Sequence, residues 1–297
     1  MLTIAKSHVY RALSGDIPPA AVCDPGQRVC FLTMDALGDQ YVDDDDPIID
    51  ESLAGNPSTG PLYVRGAMPG DMLKVTVEKI DLPSRMSMTP APAAGVFGDE
   101  IPELKRRLYR VESNTIFFND TLRFPVHPML GVIGVAPKEG NVGTSYPGPH
   151  GGNMDCKRIV EGSTLYLPVY QSGGLLFIGD VHALMGDGEV CICGAETAAE
   201  VTVTVDLVHK NYGGLLLLSE GKVMTICSAP TLDEAAVQAA KAMRRLLATE
   251  LGMEFHESCR VLSLVGDVRI CQVVDPLMTC RMEVPMSLFD AYHYTFV

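Results

Sequence analysis

Through the first 215 residues, apolar and polar positions change over in short blocks, and Gly or Pro breaks the chain about every ten residues. Residues 62–64 form one β-branched and aromatic block. Residues 72–78 alternate after a Pro69-Gly70-Asp71 turn, and residues 201–207 give the cleanest period of two. That period predicts strands with one buried face. The period changes after Thr231. Thr231 and Glu234 form a capping box, and Leu232, Ala236, Ala239, Met243, Leu246 and Leu247 recur at helical spacing up to Gly252. This predicts one long helix at about 231–251. A short charged segment at 103–108 reads as a second helix, and residues 261–265 and 268–270 read as strands. The fold class that follows is mainly β. A sandwich-like or barrel-like body spans 1–215, and a smaller α+β portion at 216–297 packs on it.

Composition narrows the function. The chain is 47% hydrophobic, which suits a sizeable core, and no apolar run reaches the roughly 18–20 residues that cross a bilayer. The first residues, Met1-Leu2-Thr3-Ile4, lack the basic and apolar blocks of a secretory leader. A formal net charge of −14 excludes a general nucleic-acid partner and disfavours an anionic membrane surface. It is compatible with a small neutral or cationic substrate and with a divalent cation. Nine cysteines, without metal-ligand spacing, read as reduced thiols of a cytoplasmic protein. The run Asp43-Asp44-Asp45-Asp46 reads as a solvated loop, since it lacks the alternation of a Ca²⁺-binding loop.

Three loops are richer in polar residues than connection alone requires. Asp35 follows an apolar strand; it either caps its own turn or turns inward as a metal ligand. Residues 141–155 hold His150, Asn153 and Asp155 in a Gly- and Pro-rich segment, where Gly151-Gly152 allows close backbone approach to a ligand. The third loop, Gly179-Asp180-Val181-His182 through Gly186-Asp187-Gly188-Glu189, follows an apolar run. In extended chain Asp180 and His182 share a face, and a carboxylate beside an imidazole suits an ion such as Zn²⁺. Asp187-Gly188 is a hairpin turn that would return Glu189 to the same end of the sheet. His127, before Pro128, is either a core or a site residue.

These segments resemble the acetamidase/formamidase family. The resemblance takes in Asn56-Pro57-Ser58-Thr59-Gly60-Pro61, Gly66-Ala67-Met68-Pro69-Gly70-Asp71, His127-Pro128-Met129-Leu130-Gly131 and Pro149-His150-Gly151-Gly152-Asn153-Met154-Asp155. It continues through the 179–182 and 186–189 motifs, Cys193-Gly194-Ala195-Glu196, Leu264-Val265-Gly266-Asp267 and Val274-Asp275-Pro276. It implies a β-rich fold, hydrolysis of short amides to carboxylate and ammonia, and in some members a divalent metal. Met185 departs from the family pattern, which has Gln before Gly-Asp-Gly-Glu, and removes a polar group there.

The expected mechanism uses metal-activated water. Asp35, Asp155, Asp180 and His182 are the candidate metal residues, with zinc as the first choice and Ca²⁺ or Mg²⁺ as alternatives. Glu189, His150 and Asp187 are the candidate catalytic residues, with Glu189 as general base. Asn153, Asn56 and His127 are the candidate substrate-binding residues. Two rival readings stay open: covalent catalysis by Cys156 with His150 or His182, and a non-catalytic binding protein. A homodimer is the expected assembly.

Overall fold

The computed structural model describes residues 1–47, 50 and 54–297. Two large sheets face each other across a shared apolar core. The nine-stranded sheet runs in the order Leu2–Ile4, Gln27–Thr33, Ala199–Val208, Met72–Asp81, Thr164–Pro168, Leu215–Ser219, Lys222–Ala229, Met278–Pro285 and Asp267–Gln272. The second sheet is built around Leu176–His182, which pairs with Met129–Val135, Ser58–Val64 and Glu196–Thr197. Val29, Phe31, Val75, Val77, Val201 and Val203 of the first sheet meet Leu62, Leu130, Ile133, Leu176 and Ile178 of the second in one cluster. The period-two expectation holds where it was clearest, because alternate valines of Ala199–Val208 are buried. Leu176–His182 departs from alternation: all seven residues are buried, as a strand covered on both faces must be.

The nine-stranded sheet runs straight through position 215, since Leu215–Ser219 pairs with Thr164–Pro168 on one side and Lys222–Ala229 on the other. The long helix, Leu232–Leu251, begins where the capping box predicts. Thr231 accepts a hydrogen bond from the Glu234 amide at 3.2 Å, and Gly252 closes the helix at φ 68°. Two other elements differ from the sequence pattern. Residues 261–265 end a helix, Phe255–Val265, rather than forming a strand. Its start is fixed by Glu254, whose carboxylate accepts from the amides of His256 and Glu257; this local cap outweighs the β-branched residues behind it. The charged segment at 103–108 is no helix either. It runs as loop into the strand Arg107–Glu112, which pairs with Arg85–Met88. No helix among the described residues is long and apolar enough to cross a membrane.

Candidate functional site

The second sheet gathers acidic residues around one imidazole. His182 ends the strand Leu176–His182 and lies in register with Glu196 on the short strand Glu196–Thr197. Its Nε2 stands 3.1 Å from Glu196 Oε1, 3.6 Å from Asp180 Oδ1 and 3.9 Å from Glu189 Oε1. Its Nδ1 stands 3.9 Å from Asp155 Oδ1. Asp275 closes the group from the C-terminal part of the chain and accepts a hydrogen bond from Asn153 Nδ2 at 3.0 Å. All five carboxylates and the imidazole are buried.

The backbone is shaped to bring these side chains together. Asp155, Asp180 and Glu189 adopt left-handed conformations, at φ 44°, 52° and 49°. Non-glycine residues adopt these at a penalty on the order of 1–2 kcal/mol each. Neighbouring glycines make room. Gly131 stands across the ladder from Asp180, between the pairs Leu130↔Val181 and Val132↔Gly179. A Cβ on Gly131 would come within 2.5 Å of both Asp155 Oδ1 and Asp180 Oδ2, and one on Gly194 within 2.6 Å of His182 Nδ1.

Electrostatics shows what this group lacks. Five buried carboxylates oppose a single imidazole, and unpaired buried charge is strongly disfavoured. Burial, then the charge of Asp180, pushes the Asp155 carboxyl up to about 7. Burial pushes Glu196 to about 7 as well and raises Glu189 well above the usual carboxylate range. Burial alone would lower His182, but Glu196 and Asp180 outweigh it and hold the ring well above its ordinary value. Both Asp155 oxygens, Asp180 Oδ1, Glu196 Oε2 and both His182 nitrogens are buried without a hydrogen-bond partner among the described residues. Asp155, Asp180 and His182 form one group whose ligand atoms lie within 4.8 Å of one another, and His182, Glu189 and Glu196 form a second. Oxygen and imidazole donors that lie this close, buried and without partners, could hold a metal ion.

A cavity of about 340 Å³ opens onto the cluster. Asn56, Asn153, Asp180, Glu189, Glu196 and Asp275 line it. The Oδ1 of Asn153 is buried and has no partner among the described residues.

Other expected site residues lie elsewhere. Asp35 caps its own turn: its Oδ1 accepts from the amides of Leu37 and Asp39 at 2.9 and 3.0 Å. It belongs to neither metal-competent group. Asp187 does not join the cluster. Arg281 donates to its two oxygens at 2.8 and 2.9 Å, and Lys157 lies 3.2 Å away. Burial would raise this carboxyl, but the two cations hold it below its ordinary value. His127 is exposed, with Nε2 3.7 Å from Glu220 Oε1. The His150 ring is buried between Gly148 and Gly152, and its Nε2 has no partner among the described residues. Burial lowers its pKa to about 4, and the ring does not line the cluster cavity. Cys156 is fully buried against Cys271 and Arg281, whose influence lowers its thiol, and it does not line that cavity either.

Two cluster members carried no assigned role in the sequence. Glu196 stands in the sequence only as the end of the Cys193-Gly194-Ala195-Glu196 family segment, and its register with His182 places it in the cluster, beside Glu189 at the same end of the sheet. Asp275 lies far along the chain, in the family segment Val274-Asp275-Pro276, and no spacing links it to the other loops.

The profile of the Acetamidase/Formamidase family matches residues 4–145 and 138–216. Among solved structures, an acetamidase from Bacillus halodurans is 38% identical, with a TM-score of 0.95 over 98% of this chain and 99% of that one. A recombinant predicted acetamidase/formamidase from Thermoanaerobacter tengcongensis is 35% identical, with a TM-score of 0.96 over 99% of both chains. A formamidase from Methylophilus methylotrophus is 45% identical over 71 residues, 23% of this chain and 17% of its own length. The chain matches less than two thirds of the length of the curated relatives, 65% in the case of one from Schizosaccharomyces pombe.

Proposed function

Because this chain belongs to the acetamidase/formamidase family, we propose that it hydrolyses short aliphatic amides to carboxylate and ammonia. The observation that carries the chemistry is the buried cluster of unpartnered carboxylate oxygens around His182, open to a cavity lined by Asn56 and Asn153. Asp155, Asp180, His182 and Glu196 would hold a divalent ion, with zinc the first choice for a mixed oxygen and imidazole set and Ca²⁺ or Mg²⁺ the alternatives. When bound, such an ion supplies Lewis acidity at the amide carbonyl and lowers the pKa of water toward roughly 7.

The chain's own residues do the rest. Asn153 Oδ1 accepts an N–H of the substrate amide, and the Asn153–Asp275 hydrogen bond fixes its orientation. Asn56 borders the same space. Glu189, which lines the cavity beside the cluster, takes the proton of the attacking water and hands it to nitrogen as the C–N bond breaks. His150, His127 and Asp187 have no proton-transfer role in this reading, since none lines the cluster cavity. The nine free cysteines support a cytoplasmic location. We read the assembly as a homodimer. The exposed apolar residues Val268 and Ile270 of the edge strand Asp267–Gln272, with Leu264 before it, are the surface assigned to it.

Ammonia release from formamide and acetamide, by protein whose metal content is known, tests the proposal. Release that stops on chelation and returns with the ion is the expected result. No release from any amide overturns the activity, and full release by metal-free protein overturns the metal.

A further inference from the structure

A second cavity borders the first. It encloses about 300 Å³, and its walls are almost wholly apolar: Met86, Met88, Ile116, Phe124 and Met185 line it. It shares Glu189 and Cys193 with the cavity over the acidic cluster. Resting on the amide-hydrolysis reading above, we propose that this second cavity binds the acyl chain of the substrate. The substrate range then extends from formamide and acetamide to amides with a longer apolar acyl group.

The argument is one of size, chemistry and position. The volume equals on the order of ten waters, far more than the single methyl of acetamide can occupy. Its apolar walls give water few partners, so an alkyl or aryl group gains by displacing that water. Of the two acidic residues on its wall, Asp187 is already engaged by Arg281 and Lys157. Glu189, the proton carrier, lines both cavities. A substrate with its amide beside Glu189 therefore has this apolar space within reach of its acyl carbon.

The walls are partly firm and partly adaptable. Phe118 and Phe124 come from the edge of the second sheet. They pack edge to face at 5.9 Å, and Phe118 stacks on Tyr109 at 4.9 Å. Met86, Met88 and Met185 are unbranched and deformable, which suits a series of chain shapes. Met185, where the family pattern has Gln, thus contributes an apolar wall.

The test is the ratio of kcat/KM along acetamide, butanamide, hexanamide and phenylacetamide, read as ammonia. We expect about a threefold to fourfold rise per methylene from acetamide to hexanamide, the factor that burial of one methylene gives. Gly186 lines the cavity and has open space where a Cβ would stand. Gly186→Leu should lower the hexanamide-to-acetamide ratio by about tenfold, the loss of roughly two buried methylenes. A readout without turnover is also at hand. The chain has no tryptophan, so Phe124→Trp places a lone indole at the cavity wall. Its emission should shift to the blue with hexanamide and not with acetamide. Ammonia from acetamide with a flat series and no emission shift overturns the acyl pocket and leaves the amide reading intact. No ammonia from any amide overturns the amide reading and, with it, the acyl assignment, whatever the emission does.

Discussion

At the residue scale, Glu189 combines a left-handed backbone, nearly complete burial and a raised carboxyl. Such strain persists only where surrounding structure holds it. Glu189→Gln keeps the shape and removes the proton acceptor. It should lower kcat by at least about 100-fold with metal content by elemental analysis unchanged; a kcat within a factor of three would remove Glu189 from proton transfer. His150 gives a stability prediction instead. Burial lowers its pKa from 6.5 to about 4. The unfolded chain therefore takes up its proton below pH 6.5, while the folded chain resists until about pH 4. Its contribution is complete above pH 6.5 and is lost as pH falls to about 4, by about 3 kcal/mol in all. Denaturant titrations of wild type and His150→Gln at several pH values check this, and parallel pH profiles would contradict it. At this scale the sequence made Asp155, Asp180, His182 and Glu189 legible, because polar residues crowded glycine-framed loops. It did not separate Asp35 and Asp187 from them. A carboxylate engaged by backbone amides or by Arg281 reads the same in one dimension as a ligand.

At the scale of elements, the strand Leu176–His182 and its neighbour Met129–Val135 set the cluster's dimensions. Gly131→Ala would drive a Cβ into the Asp155 and Asp180 oxygens. The expected outcome is loss of bound metal and of activity, with the circular dichroism of the fold retained; an active, metal-loaded variant would show that the ladder yields there. Thr231 is a simpler case. Thr231→Ala removes the acceptor for the Glu234 amide and should lower stability by about 1 kcal/mol in urea unfolding, without changing kinetics. The capping box and the alternating valines were readable because their signals are local. Residues 261–265 were misread because a short apolar run suits either period, and the deciding Glu254 cap precedes it.

At the scale of the molecule, five buried carboxylates repel one another unless a cation or protons neutralise them. Removing the ion at neutral pH should lower the melting temperature, and the transition should rise again with added divalent ion in proportion to ln(1 + [L]/Kd). A melting temperature indifferent to chelation would argue against an ion in the cluster. The edge of the nine-stranded sheet makes a separate prediction. Val268→Lys should shift the protein toward monomer in sedimentation, leaving the amide assay measurable. An unchanged assembly would move the interface elsewhere.

The sequence by itself determined the β-rich body, the long helix and most of the segments that meet in the acidic cluster. Periodicity, caps and glycine-framed loops are properties of neighbouring residues. Only the tertiary structure decided which carboxylates face one another. Glu196 meets His182 through strand register, and Asp275 reaches Asn153 across 122 positions of chain. Ligand geometry is a property of distances in space, and spacing along the chain does not encode them.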